Sequence, residues 1–212
     1  MLAARSGREH QPARPGSRFA VFRAPLIVAL AAVLVATLGD AGALALRYER
    51  EAIHAGAFWR LLTGHWVHLG WQHLALNLAA LFLIWHLFGA ALGTRSWLLL
   101  ILALAVGQSL ALLAFHPEIA WYLGLSGLLH GLLAAGALLS LRASPLLAGV
   151  ALVLLLGKLA LEAWQGPTAG MADWLGGAVI TEAHLYGAVC GLAGAAAIAL
   201  LRRSRALCQP HP

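Results

Sequence analysis

The sequence predicts an all-α, polytopic membrane protein, a bundle of six transmembrane helices with both termini in the cytoplasm. Composition carries the first part of that expectation. Of 212 residues, 61% are hydrophobic and 10% charged, against roughly 45–50% and about 25% in a soluble domain. Mean hydropathy is +0.82, and six apolar stretches come near the ~20 residues that span a bilayer. Water-soluble enzymes and DNA-binding domains are excluded on these grounds.

Residues 1–23 form a basic, Pro- and Ser-containing stretch without apolar periodicity, read as a flexible cytoplasmic arm. The run Ala24 to Leu46 has an Arg-rich start like a secretory signal. It is longer than the ~7–15 residues of a signal's apolar region, so it is expected to be a retained first span. Five further spans are expected at 72–92, 96–115, 126–141, 145–163 and 183–201, giving a membrane domain over 24–201 and a basic cytoplasmic tail over 202–212.

Charge sets the direction. Ten Arg fall on one side of this map (Arg5, Arg8, Arg14, Arg18, Arg23, Arg95, Arg142, Arg202, Arg203, Arg205) and three on the other (Arg47, Arg50, Arg60). Positive residues stay in the cytoplasm, which places both ends there. Lys158, inside the fifth span, is expected to snorkel or to pair with Glu162 one turn on. The net charge of +6 is thus accounted for by span flanks, and no basic stripe with interleaved aromatics suggests nucleic acid. Cys190 and Cys208 lie in an apolar run and in the tail, and are read as unpaired thiols.

Two outer segments are not plain linkers. Residues 47–71 hold Phe58, Trp59 and Trp66 with His54, His65 and His68, a composition suited to a structured loop at the membrane interface. The fourth span has only about 16 residues, roughly 24 Å at ~1.5 Å per residue. That is short of the ~30 Å hydrocarbon layer, so its outer end must sit below the surface, wrapped by protein or open to water.

Polar residues cluster at those outer ends. Gly124-Leu125-Ser126-Gly127 opens the fourth span, where a serine hydroxyl stands beside helix-start N–H groups able to hold an oxyanion. His184 opens the sixth span at the head of a small-residue face containing Gly187 and Gly191. A matching face, Gly127 and Gly131, lies on the fourth. Faces of this kind bring helix backbones close together, which would set Ser126 and His184 at similar depth. His73 and Asn77, one turn apart in the second span, are suitable donors to a developing negative oxygen. The plainer alternatives are a capping serine, a helix-packing motif with an interfacial histidine, and interhelical hydrogen bonding.

These residues resemble the rhomboid family of intramembrane serine proteases. Trp59-Arg60 is similar to its Trp-Arg signature in the first outer loop, His73 and Asn77 to its H-x-x-x-N, Ser126 to the serine of G-x-S-G, and His184 with Gly187 to A-H-x-x-G. The compact chain, the run Gly124-Leu125-Ser126-Gly127-Leu128-Leu129-His130-Gly131 and Glu182-Ala183-His184 are more similar still to rhombosortases. The resemblance implies a rhomboid-like bundle in a bacterial inner membrane with its site toward the periplasm. It implies Ser126 and His184 as catalytic residues, and oxyanion support from His73, Asn77, Gly124, Leu125 and Gly127. The implied substrate is a membrane-anchored protein ending in a Gly-Gly motif, an apolar helix and a basic tail. A general rhomboid protease with other single-span substrates, or a non-catalytic binder of membrane clients, are the alternatives. Many rhomboids carry Tyr where this chain has His130, which is expected to fill that Tyr's packing role against the catalytic ring, the alternative being a competing base; His68, Trp59 and Arg60 are further candidates to back the site.

The expected machinery is a Ser-His dyad. No third acid is anticipated: Glu182 is two residues from His184 and points away from its ring. No cofactor is expected. His65-x-x-His68 with His73 has tolerable metal spacing, but no H-E-x-x-H and no nearby carboxylate accompany it, so no metal is expected.

Overall fold

The computed structural model describes residues 21–207; most of the expected N-terminal arm, and residues 208–212 of the tail with Cys208, lie outside that range. The first hydrophobic run is where the structure departs most from expectation. It forms α1 (Arg23–Ala36) and α2 (Gly39–Leu46), which turn 118° from each other instead of continuing as one span. Gly39 at φ +65° makes the break, a backbone setting that costs glycine no steric clash, and the Thr37 hydroxyl donates back to Leu34 O at 2.7 Å. Hydropathy is blind to this turn because both pieces are apolar.

The last carbonyls of a helix have no partner within it, and those around the end of α2 are met from the following segment. Arg60 Nη1 donates to Leu44 O at 2.9 Å and to Arg47 O at 2.8 Å, and Thr63 Oγ1 to Leu46 O at 2.6 Å. Trp59 Nε1 reaches Ala45 O at 3.3 Å. Trp59 and Arg60 therefore clamp α2 and do not line the polar cluster that the sequence pointed to.

Residues 47–71 are structured: β1 (Tyr48–Glu49), α3 (Arg50–His54), α4 (Arg60–Thr63) and a 3-10 turn, Gly64–Trp66. β1 pairs antiparallel with β2 (Trp121–Tyr122), Tyr48 opposite Tyr122, which ties this segment to the loop that leads into the short helix. Arg50 adds a second tie. Its guanidinium donates to the carbonyls of Leu112, Leu113, His116 and Ile119, closing the end of the preceding helix.

The bundle proper consists of α5 (Trp71–Phe88), α6 (Thr94–Phe115), α7 (Ser126–Ser140), α8 (Pro145–Gln165) and α10 (Thr181–Leu207), with the short α9 (Met171–Leu175) between the last two. Four helices are long and apolar enough to cross a membrane: Trp71–Ala91, Thr94–Phe115, Pro145–Gln165 and Thr181–Ser204. The bent pair α1–α2 counts as a fifth if taken as one span, and α7, with 15 residues, is short as expected.

α7 lies at the centre, and its contact with α10 is made by glycine backbone. A Cβ on Gly131 would stand 2.6 Å from Gly187 O, one on Gly191 2.7 Å from Gly131 Cα, and one on Gly187 would overlap the Gly127 carbonyl. Real side chains cannot occupy such gaps, so the small faces fix how closely these two helices approach. α8 is held more loosely. Over an 18-residue apolar stretch of each helix, only 22% of α8 is buried within the protein, against 39% for α5 and for α6.

Candidate active site

The site grows from the way the chain enters α7. Gly124 has φ +113°, and a Cβ there would come within 2.9 Å of His73 Cε1. Glycine is thus required both by its conformation and by the ring packed on it. The Tyr122 hydroxyl donates to Gly124 O at 2.6 Å, and Gly124 N–H donates to Gly64 O at 3.1 Å. The helix starts at once, its first bond running from Leu129 N–H to Leu125 O. A helix start leaves the N–H groups of Ser126, Gly127 and Leu128 without intrahelical acceptors.

The close α7–α10 packing brings two side chains together. Ser126 Oγ lies 3.0 Å from His184 Nε2. On the other edge of the ring, His184 Nδ1 is 3.0 Å from each carboxylate oxygen of Glu162. An ionised carboxylate can only accept. The ring proton therefore sits on Nδ1, and the Nε2 lone pair faces the serine hydroxyl.

A carboxylate that fits was the residue the sequence did not yield. Glu162 belongs to α8, 22 residues before His184, and its i,i+4 partner Lys158 suggested an ion pair along one helix. That pair exists, with Lys158 Nζ on Glu162 Oε1, and the same carboxylate also reaches α10. An acid inside an apolar span was the available signal, because such a residue is costly there unless it is paired or functional.

Around this line stand three more of the expected residues. His130, one turn after Ser126, stacks on His184 with ring centroids 4.2 Å apart and planes 13° apart, and its Nδ1–H donates to Ser126 O at 2.7 Å. His73 Nδ1 accepts from Leu69 N–H at 3.4 Å, which leaves Nε2–H as the donor of the neutral ring, beside Gly124. Asn77 is buried on the same face of α5, and its Nδ2 has no hydrogen-bond partner among the described residues. A cavity of about 510 Å³ opens against Ser126, His184, His73 and Asn77 and extends between Leu83 and Leu87 of α5 and Ala151 and Leu154 of α8.

Residues 55–201, about two-thirds of the chain, match the Rhomboid domain. The chain belongs to the rhomboid family. That is a family of serine-type intramembrane proteases, and the protein is an enzyme of this kind. No curated protein matches it.

In this rhomboid, the remaining histidines divide between support and structure. His68 meets the His73 ring edge-on at 5.0 Å and bonds Trp66 O at 3.1 Å through Nδ1. Burial, and after it the neighbouring His73, push its pKa down to about 3, so it stays neutral. His65 Nε2 lies 2.9 Å from Ala105 O and 3.0 Å from Ser109 Oγ, which pins the loop to α6.

Among the described residues, His130, Glu162 and His184 offer three ligand atoms within 4.8 Å of one another. Their geometry disfavours a metal. The two imidazoles are stacked with planes 13° apart, so their in-plane lone pairs lie in separate, nearly parallel planes and do not converge on a tetrahedral ion. Nδ1 of His184 is moreover committed to the carboxylate.

Proposed function

We propose that Ser126 is the nucleophile and His184 the base for cleaving a single-span membrane protein that reaches the cavity sideways from the bilayer. The observation that carries this is the 3.0 Å contact between Ser126 Oγ and His184 Nε2, between helices whose residues are 58 apart in sequence. As Oγ bonds to the scissile carbonyl carbon, its proton passes to Nε2 and the carbonyl electron pair moves onto oxygen. Collapse breaks the C–N bond, the imidazolium protonates the leaving nitrogen, and water then resolves the ester by the same route.

His73 Nε2–H, Asn77 Nδ2 and the N–H groups at the α7 start would hold the oxyanion, with Gly124, Leu125 and Gly127 shaping that wall. The unpaired state of Asn77 supports this. A buried donor left without a partner costs about 1–3 kcal/mol, a penalty removed when a charged oxygen arrives.

In this reading the bent α1–α2 pair, α5, α6, the short α7, α8 and α10 make six membrane segments, with both termini in the cytoplasm of a bacterial inner membrane and the site toward the periplasm. The excess of Arg on one side of the sequence supports the direction. The substrate is rhombosortase-like: a protein with a C-terminal Gly-Gly motif, an apolar helix and a basic tail. The run from Gly124 to Gly131 and Glu182-Ala183-His184 support that class.

Co-expression with a Gly-Gly-tailed protein tests it, the product's C-terminus being read by mass spectrometry. A truncated product that disappears with Ser126→Ala and with His184→Ala is the expected result. An uncut tail beside efficient cleavage of other single-span proteins would remove the rhombosortase reading and leave the general protease. Cleavage that persists in Ser126→Ala would remove the assignment of nucleophile.

A further inference from the structure

We propose that Glu162 is a positioning residue for the base, and that Lys158, Glu162, His184 and Ser126 form one hydrogen-bonded line across α8, α10 and α7; this rests on the Ser126–His184 reading above. The side chains of Glu162 and His184 are 9% and 6% exposed. Taking a lone carboxylate out of water costs several kcal/mol unless partners satisfy it. Here both of its oxygens face His184 Nδ1, and Lys158 Nζ sits on Oε1.

That arrangement does two things for the reaction. It holds the proton on Nδ1, so Nε2 presents its lone pair to the serine hydroxyl. When the Ser126 proton reaches Nε2, the imidazolium forms against a negative charge while the carboxylate itself stays ionised, its proton count unchanged. Lys158, 47% exposed and among the residues that line the cavity, is the second partner of the Glu162 carboxylate.

The acid's place in the fold adds a consequence. Glu162 is carried by α8, the least buried of the four long spans and one wall of the cavity. The base is therefore poised only while α8 is docked on α10.

The test uses the full chain in detergent micelles and a fluorescent fluorophosphonate, which Ser126 attacks at phosphorus with loss of fluoride. Glu162→Gln is expected to slow labelling about 10²-fold or more, because the amide donates to Nδ1 and imposes the wrong tautomer. Its thermal midpoint should stay near that of the wild type. Glu162→Asp should recover the rate to within about tenfold of wild type, and Lys158→Met should cost about tenfold or less.

Glu162→Gln labelling at the wild-type rate overturns the proposal. So does a slow Glu162→Gln that melts early and is matched by Glu162→Asp, since that pattern means a structural ion pair. A wild type that fails to label at Ser126 overturns the protease reading and this one with it, which separates the two failures.

Discussion

The imidazole of His130 lies flat on that of His184, 4.2 Å between centroids, with its own Nδ1–H spent on the Ser126 carbonyl. A ring so placed restricts how the base can tilt. Stacked aromatic pairs contribute about 0.5–1.5 kcal/mol beyond their burial, which is up to roughly tenfold in rate. His130→Tyr and His130→Phe are expected to keep fluorophosphonate labelling within about threefold of wild type, whereas His130→Ala should lose about tenfold. A much larger loss in His130→Phe would mean that the ring nitrogen moves a proton.

Asn77 gives an unusual pairing of outcomes. Its Nδ2 is buried without a partner among the described residues, so the resting protein bears a cost that the transition state removes. Asn77→Ala should lower kcat about 10²-fold, in line with the loss of one oxyanion donor, with little change in KM. The thermal midpoint should hold or rise, because an unsatisfied donor has been deleted. A variant that melts early and cleaves normally would make Asn77 a packing residue.

How much of this was legible in the sequence depends on the distance over which each feature acts. The helices of the bundle follow from hydropathy, and the α5, α6, α7 and α8 bounds fall within about four residues of the expected ones, whereas α10 continues to Leu207, six residues into the expected tail. The meeting of Ser126 with His184 follows from the two glycine faces, since small residues four apart state where backbones touch. Glu162 was hidden because its functional partner lies on another helix, while its sequence neighbour Lys158 offered a local explanation. The break at Gly39 was hidden because one glycine in an apolar run looks the same in a straight helix and in a bent pair. The motif points Trp59 and Arg60 toward the site, yet their hydrogen bonds go to the carbonyls around the end of α2.

Gly187 rides on the Gly127 carbonyl, so even one methyl group has nowhere to go. Gly187→Val should destabilise the protein by about 1–3 kcal/mol or more through overpacking. It should also slow labelling, because Ser126 and His184 are held together by that contact. Gly157 on α8 is the control: a Cβ there meets nothing within 4 Å, and Gly157→Ala should be neutral or stabilising by up to about 1 kcal/mol. Unfolding in detergent measures both. Equal effects at the two positions would contradict close α7–α10 packing.

His65 supplies a dependence on pH. The residue is fully buried, and burial pushes its pKa from 6.5 down to about 4. Below pH 6.5 the unfolded chain binds a proton at this position that the folded chain refuses until about pH 4. The unfolded state thus holds more protons throughout that window, and stability must fall as the pH falls through it, by up to about 1.36 kcal/mol per pH unit for one such group. Above pH 7 the contribution is constant. His65→Gln removes the titration, so its thermal midpoint should decline less steeply between pH 6.5 and 4.5 than that of the wild type, even if it begins lower. Parallel slopes for the two proteins would mean that His65 is already protonated when folded, with its Nε2 bond to Ala105 O made by a cation.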